Sequence, residues 1–102
     1  MPEEVKQFVL TGYDYTDDQA LERRMATREA HFACISELQK EGKALMAGAM
    51  LNDDGKMIGS IIFFQMTQAQ MDEYLETEPY IAQKVWEKID LREVKIPPIF
   101  LN

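Results

Sequence analysis

One turn sequence and the apolar segment after it constrain the fold more than any other feature of this chain. Asn52-Asp53-Asp54-Gly55 is typical of a hairpin turn, because these residue types tolerate the backbone angles that tight turns need. Residues 59–64, GSIIFF, are almost entirely apolar, as expected of a strand that is covered on both faces. The sequence therefore predicts a hairpin of residues 43–50 and 57–66, with its second arm in the interior of a sheet.

The residues before this hairpin predict a strand and a long helix. Residues 5–11, VKQFVLT, are rich in β-branched and aromatic residues and form the predicted first strand. Thr16 followed by Gln19 has the form of a capping box, and Gly42 is a natural helix stop. The predicted helix therefore spans residues 17–41, and its inward face carries Leu21, Met25, Phe32 and Ile35.

The residues after the hairpin predict a divided helix and a last strand. Thr67 with Gln70 has the form of a second capping box, which opens a short helix. Pro79 ends that helix and suits the first turn of a new one, predicted over residues 80–89. Residues 91–96 form the predicted last strand, because the two prolines after them cannot continue the pairing.

The order of these elements is strand, helix, strand, strand, helix, strand. It predicts one α+β domain over residues 1–102, with the ferredoxin-like βαββαβ fold and a split second helix. Helices that cover one face of an antiparallel sheet leave its other face apolar and open. In such a fold a second copy commonly buries that face, so we expect a homodimer or a higher homo-oligomer whose sheets close into a dimeric α+β barrel.

Composition and charge exclude several classes of binding partner. The chain has 102 residues and a formal net charge of -7, which repels a nucleic acid backbone. No segment reaches the roughly 18 apolar residues of a membrane span and no leader pattern opens the chain, so we expect a cytoplasmic protein that contacts no membrane. Cys34 is the only cysteine and His31 the only histidine, so no internal disulfide and no zinc-type ligand spacing is expected.

His31 is the clearest lead to chemistry. Its side chain exchanges a proton near neutral pH, and Arg28 precedes it by one turn of the predicted helix. On a helical projection Arg28 falls near the middle of the apolar stripe, whereas His31 lies on its shoulder close to Arg24 and Leu38. A guanidinium at such a position needs a partner, for which Asp14 or a carboxylate of a partner chain is a candidate.

An ordered set of residues along the chain resembles the pattern of the YciI-like (YCII-related) proteins of the dimeric α+β barrel superfamily. The set runs over nearly the whole chain and comprises Asp14, Arg28, His31, Gly42, Ala47-Gly48, Asp54-Gly55, Gly59-Ser60 and Glu78-Pro79-Tyr80. Two positions depart from the family pattern. Ala49 stands where the family usually has a proline, and Glu78 stands where it usually has an aspartate.

The resemblance implies that His31 and a carboxylate, here Glu78, form a general acid/base dyad beside the sheet. Arg28 is then available for an anionic oxygen of a ligand, and the other expected substrate-binding residues are Asp14, Ser60 and Tyr80. Structural roles are the alternative for each of them. His31 can be a hydrogen-bonded edge residue, Arg28 an ion-pair partner and Glu78 only a helix cap.

Two hypotheses of different classes follow. The first is an enzyme without a cofactor or metal, in which His31 and Glu78 move a proton on a small anionic or aromatic molecule. The second is a dimer without catalytic activity that binds a small ligand or serves as an accessory subunit. The surroundings of His31 discriminate between them, because a base needs a cavity and a structural histidine needs only hydrogen-bond partners.

Overall fold

The computed structural model describes residues 3–101 of the chain. Its elements follow the order strand, helix, strand, strand, two helices, strand. They are β1 (Val5–Asp14), α1 (Ala20–Lys40), β2 (Ala44–Leu51), β3 (Met57–Thr67), α2 (Gln68–Thr77), α3 (Pro79–Ala82) and β4 (Trp86–Val94), followed by a 3-10 turn (Pro98–Phe100). This is the α+β, ferredoxin-like arrangement predicted from the sequence, including the division of the second helix.

The four strands form one antiparallel sheet in the order β2-β3-β1-β4. The apolar strand β3 is therefore interior, as predicted, and pairs with β1 from Val5↔Thr67 to Tyr13↔Gly59. Its side chains alternate between the two faces: Ile62 is fully buried beneath the helices, whereas Ile61 is half-buried on the opposite face.

The core lies between the sheet and the helices. Its largest members are Phe8, Leu10, Ile62, Phe64, Met66, Met71, Tyr74, Tyr80 and Trp86. The capping box that opens α2 is formed: Thr67 Oγ1 accepts from the Gln70 backbone N–H, and the Gln70 side chain accepts from the Thr67 N–H. In the part of the chain that the structure describes, no helix is both long and apolar enough to cross a membrane.

Two predicted boundaries near the start are wrong. β1 continues to Asp14 rather than ending at residue 11, because its last residues pair with β4. α1 begins at Ala20, and its N-cap residue Gln19 makes no side-chain capping bond. Asp17 instead accepts from the Gln19 N–H and from Arg23, so the predicted capping box of Thr16 and Gln19 is not formed.

The predicted helix over residues 80–89 and strand over residues 91–96 are also wrong. α3 ends at Ala82, Lys84 takes a positive φ of 59°, and β4 begins at Trp86. The Trp86 ring packs directly over Gly12, where an added Cβ would clash with ring atoms. Pairing of this segment with the extended β1 outweighs its helical pattern, since the strand hydrogen bonds and the buried indole are tertiary contacts.

The inward face of α1 is polar in its first half, contrary to the sequence expectation. Leu21, Met25 and Phe32 are exposed, and Phe32 retains 50% of its accessible surface. The buried residues of this helix are Arg24, Thr27 and His31. Polar side chains can face the sheet here because the sheet and the loop at residue 78 supply hydrogen-bond partners for two of them, Arg24 and His31.

The face of the sheet opposite the helices is open among the described residues. An apolar groove of about 350 Å³ runs across it, lined by Leu45, Met46, Phe63, Val94, Ile96, Pro97, Phe100 and Leu101, with Lys95 at its side. The C-terminal segment is fastened there by a 2.7 Å hydrogen bond from the Ile96 N–H to Gln7 Oε1. Burial of this face by a second copy stays a prediction.

Candidate functional site

Helix α1 aims two ionisable side chains at the sheet. Arg24 and His31 are seven residues apart, so they lie on one face of the helix about two turns from each other. Both are nearly fully buried. Each meets a carboxylate from another part of the chain, and these two contacts define the two polar clusters described below.

The first cluster joins His31 to Glu78, the residue between α2 and α3. His31 Nδ1 lies 2.7 Å from Glu78 Oε1, and the Glu78 side chain is completely buried. Two further donors hold this carboxylate: the Tyr80 backbone N–H at 3.0 Å from Oε1 and the Tyr74 hydroxyl on Oε2. Glu78 is thus the N-cap of α3 and the partner of His31 at once.

These partners fix the tautomer of His31. The Tyr80 N–H can only donate, and burial, followed by the charge of Glu78, raises the pKa of the Tyr74 phenol well above its usual range. Both groups therefore offer hydrogens to Glu78, and an ionised carboxylate accepts them best. His31 Nδ1 then also donates to Glu78, and in the neutral form of the imidazole this bond puts the lone pair on Nε2.

Aromatic rings hold the imidazole in place. The Tyr80 ring stacks on it, with centroids 3.9 Å apart and planes 9° apart. Trp86 meets it edge-on at 6.1 Å, and Phe32 lies at 5.7 Å. With Nδ1 bonded and one face stacked, the ring has little freedom to rotate, which is the positioning that proton transfer requires.

The second cluster is built around Arg24. Arg24 Nη1 binds both carboxylate oxygens of Asp14, at 2.9 and 3.1 Å, and Nη2 donates to Ser60 Oγ at 2.8 Å. The Trp86 indole N–H also donates to Ser60 Oγ, at 3.3 Å. Burial raises the pKa of the Asp14 carboxyl, and the attraction of the Arg24 guanidinium offsets part of that effect. The Arg24 side chain also lies over the Tyr80 ring, at 4.9 Å from its centroid, which connects the two clusters.

A cavity of about 250 Å³ opens beside both clusters. Its lining comprises Arg24, Arg28, His31, Phe32, Ala47, Gly48, Ala49, Met57, Ser60, Ile62 and Tyr80. It is somewhat smaller than the roughly 300–1,000 Å³ pockets that hold drug-sized ligands, so it fits a molecule of about one ring. Within residues 3–101, His31 Nε2 has no hydrogen-bond partner, and His31 lines the cavity.

Three of the residues singled out in the sequence meet directly: His31, Glu78 and Tyr80. Ser60 lines the same cavity. Asp14 lies behind Arg24 and is absent from the cavity lining. Its carboxylate is occupied by an ion pair within the chain.

The expected environment of Arg28 is wrong. Arg28 is exposed at the mouth of the cavity, where its guanidinium lies over the Phe32 ring at 4.8 Å from the centroid. The buried arginine is Arg24, one turn earlier, and it takes the Asp14 carboxylate that the sequence reasoning offered to Arg28. The reason is the rotation of α1, which turns the face of Leu21, Met25, Arg28 and Phe32 outward.

Sequence reasoning missed the roles of Arg24, Tyr74 and Trp86. Arg24 carried a usable signal, because its spacing of seven residues from His31 places both on one helix face. Tyr74 lies four residues before Glu78, the spacing of neighbours on one helix face, and the same pattern marks it as a partner. Trp86 had no such signal, since its contact with Ser60 depends on the pairing of β4 with β1.

The cluster around Glu78 can shuttle one proton. A neutral imidazole accepts a proton at Nε2, and the imidazolium that results is stabilised by the buried carboxylate at Nδ1. For the residues that the structure describes, no group of three His, Cys, Asp or Glu side chains converges as a metal site. Proton transfer of the general acid/base type is chemistry that the His31 and Glu78 side chains can carry out in this arrangement.

Comparison with known proteins places this site in a family context. Residues 7–95 match the model of the YCII-related domain. The protein YciI of Escherichia coli O6:H1 is 31% identical over 90 residues, which cover 79% of this chain and 92% of that protein. The protein YciI of Shigella flexneri matches to the same extent.

Solved structures with the same fold include an enzyme. The 5-chloro-2-hydroxyhydroquinone dehydrochlorinase of Burkholderia phenoliruptrix AC1100, in complex with 2,5-dihydroxybenzoquinone, superposes with a TM-score of 0.76 at 19% identity, over 91% of this chain and 97% of that one. A dimeric ferredoxin-like protein of unknown function from Jannaschia sp. CCS1 gives a TM-score of 0.53 at 14% identity, over 91% and 100%. At these identities the likeness establishes the fold.

Proposed function

The chain belongs to the YCII-related domain family, and from that premise we propose that it is an enzyme that moves a proton on a small molecule, with His31 as general base and acid. One observation carries the proposal. His31 is tied through Nδ1 to the buried Glu78 at 2.7 Å, while Nε2 has no partner in the described chain and the residue lines a cavity. A histidine with a purely structural role needs only its buried nitrogens paired with protein or ordered water, whereas His31 presents an unpaired nitrogen in the lining of a cavity.

The proposed reaction uses the side chains of this chain in fixed roles. Nε2 of His31 removes a proton from a carbon or an oxygen of the bound molecule, and Glu78 stabilises the imidazolium that forms. Tyr74 and the Tyr80 N–H keep the Glu78 carboxylate in place during the transfer. His31 then returns the proton to another atom of the ligand or to a leaving group, which completes an isomerisation or an elimination.

The chemistry of the ligand is indicated by the cavity. Arg28 at its mouth is a cation on a chain of net charge -7, so it attracts an anionic group that most of the surface repels. Tyr80, Phe32 and Met57 offer apolar surface to a ring. The similar dehydrochlorinase was solved with a dihydroxybenzoquinone. We therefore propose small hydroxylated or halogenated rings and enolisable carbonyl compounds as substrates.

The test is turnover of a panel of such compounds. Proton exchange at carbon in D2O is followed by NMR, and elimination is followed by halide release. We expect turnover by the native protein and a loss of about 100- to 10,000-fold in His31→Gln. Glu29→Gln, an exposed change on the same helix, serves as the matched control and leaves the rate unaltered. Turnover that survives in His31→Gln contradicts the proposal, and ring binding without turnover favours the ligand-binding alternative.

We also propose that the chain forms a homodimer through the open face of the sheet. The apolar groove that includes Met46, Phe63 and Phe100 supports this, as does the description of several similar structures as dimeric. Phe63→Glu would place a charge in that face. Sedimentation of the native protein and of this variant tests the proposal, which requires a dimer that the variant loses.

A further inference from the structure

The hydrogen-bonding role of the Ser60 hydroxyl is set by its two polar neighbours. Arg24 Nη2 and the Trp86 indole nitrogen both contact Ser60 Oγ, and each of them can only donate. A serine oxygen has two lone pairs, so these two donors fill its capacity to accept. Ser60 makes no donated hydrogen bond within residues 3–101, although it lines the cavity. Its O–H is therefore a donor available to a ligand.

Arg24 has one N–H group that the cluster leaves unpaired. Four of its five N–H groups lie on Nη1 and Nη2, which bind Asp14 and Ser60, while Nε is buried without a partner in the described part of the chain. Buried N–H groups are nearly always paired in native proteins. The cluster around Arg24 therefore has more donors than acceptors, and the Ser60 hydroxyl is the donor that a group in the cavity can pair with.

Charge makes the Ser60 hydroxyl a strong donor. The guanidinium of Arg24 donates to its oxygen at 2.8 Å, which polarises the O–H bond and strengthens the bond that it gives in turn. Asp14 neutralises Arg24 at the far side of the cluster, but it does not line the cavity. A ligand oxygen at Ser60 thus meets a polarised donor, without the Asp14 carboxylate in the cavity lining beside it.

We propose that Ser60, polarised by Arg24 and Trp86, is the specificity-determining donor of the cavity and receives an anionic oxygen of the ligand, such as a phenolate or an enolate. This deepens the proposed function and rests on it for the cavity. In that reaction the electron pair left when His31 removes a proton from a carbon next to a carbonyl is delocalised onto the carbonyl oxygen, which Ser60 stabilises as an enolate. The proton resides on His31 Nε2 until it is returned.

The experiment compares two probes of one ring size, 4-nitrophenolate and nitrobenzene, by equilibrium binding at a pH at which the phenol is ionised. High salt screens the exposed Arg28, so that the remaining difference reports the buried donor. We expect the native protein to bind the phenolate roughly ten- to a hundredfold more tightly, the range for a hydrogen bond to a charged group. Equal affinity for the two probes in the native protein overturns the proposal.

Three variants identify the donor. Ser60→Ala removes it and Ser60→Cys replaces it with the weak S–H donor, and both are expected to lose the preference for phenolate while nitrobenzene binding changes less than about twofold. Ser60→Thr keeps a hydroxyl and is expected to keep the preference. Ser60→Cys preserves the shape of the side chain, so it decides the matter if Ser60→Ala does not fold. A preference that survives in Ser60→Cys overturns the proposal.

The outcome is independent of turnover. His31→Gln abolishes the proposed reaction but leaves the donor at Ser60, so it is expected to retain the phenolate preference. If the native protein turns nothing over, the proposed function fails while the binding comparison still decides the role of Ser60. A preference lost in His31→Gln and kept in Ser60→Cys assigns the anionic oxygen to His31 instead.

Discussion

The two buried polar clusters on the inner face of α1 are built from similar parts and behave differently. Around Arg24, the Asp14 carboxylate meets a permanent cation that binds both of its oxygens. Around His31, the Glu78 carboxylate meets a phenol, a backbone N–H and an imidazole, none of which must be charged. The first cluster contains a permanent cation, whereas the partners of the carboxylate in the second are groups that can be neutral.

This difference gives the two clusters different roles, the Arg24 cluster in stabilising the fold and the His31 cluster in the proposed proton transfer. An arginine stays protonated at any physiological pH, so the Arg24 cluster serves to hold β1, α1 and β3 together and to polarise Ser60. An imidazole can donate at one nitrogen and accept at the other, so the His31 cluster is the one suited to proton transfer. The sites are two helical turns apart and share the Tyr80 ring, which lies against both side chains.

The largest expected effect breaks the anchoring cluster. Arg24→Met keeps an apolar stem but leaves the Asp14 carboxylate buried without its cation, which costs about 3–5 kcal/mol in the free energy of unfolding. Urea denaturation measures the loss. Arg23→Met is the matched control, because the partner of Arg23 is the exposed Asp17, and a far smaller loss is expected. Equal losses in the two variants would show that Arg24 does not anchor the fold.

The next largest effect is expected in the cluster of His31 and Glu78, where one substitution removes the charge of the carboxylate and keeps its size. Glu78→Gln keeps the size of the side chain but offers one oxygen and an N–H group to three donors. His31 then loses its ionised partner and its fixed tautomer, and we expect a fall of about 100-fold in kcat, comparable to that caused by a misplaced catalytic group. The pH profile of kcat/KM should shift as well, since the carboxylate no longer stabilises the imidazolium. An unchanged profile argues against the dyad.

A smaller effect concerns the phenol that holds Glu78. The raised pKa of Tyr74 means that the folded protein keeps a proton that the unfolded chain releases above about pH 10. The stabilisation is complete below that pH and falls as the pH rises through and beyond it. Tyr74→Phe should therefore cost about 1.5 kcal/mol at neutral pH and remove this alkaline decline. Denaturation curves of the native protein and of Tyr74→Phe from neutral to alkaline pH measure the loss at neutral pH and the alkaline decline. If the stability of both proteins falls equally at alkaline pH, the decline does not come from Tyr74.

The smallest effect concerns the exposed arginine at the cavity mouth. Arg28→Gln should weaken binding of 4-nitrophenolate only about two- to fivefold at low salt, with no change at high salt, because an exposed charge is screened. Nitrobenzene affinity and kcat should stay the same. Titrations at two salt concentrations measure this, and a large loss that persists at high salt would assign Arg28 a direct contact instead.

The fold was predictable where patterns are local. The hairpin turn, the interior position of β3 and the capping box at Thr67 each follow from residues close in sequence. The last helix and strand were not predictable in this way. Residues 86–94 join the sheet by pairing with β1, and the paired residues are more than 70 positions apart in the sequence. Long-range pairing of this kind overrides a helical pattern that is regular in isolation.

The candidate site was predictable in part for the same reason. Family resemblance pointed to His31, Glu78, Ser60 and Tyr80, which lie together around one cavity or its supporting carboxylate. The sequence pattern could not predict how α1 is rotated about its axis. The apolar residues at 21, 25 and 32 and the polar residues at 24, 27 and 31 recur with the same helical period, so either set could face the sheet. The partners of Arg24 on the sheet and of His31 at Glu78 are long-range contacts that favour the polar stripe inward.

The position of Glu78 at the break between α2 and α3 has an evolutionary consequence. The atom that binds His31 also accepts a hydrogen bond from the first turn of α3, so under the proposed function selection for folding and selection for chemistry act on the same oxygen. In a descendant that lost the proposed chemistry, a side chain that accepts from the Tyr80 N–H would still be favoured at position 78, because it caps α3. His31 lies inside α1 and caps no helix. Under the proposed function, a substitution at position 31 with a capping residue kept at position 78 is therefore the change expected in a relative that lost activity.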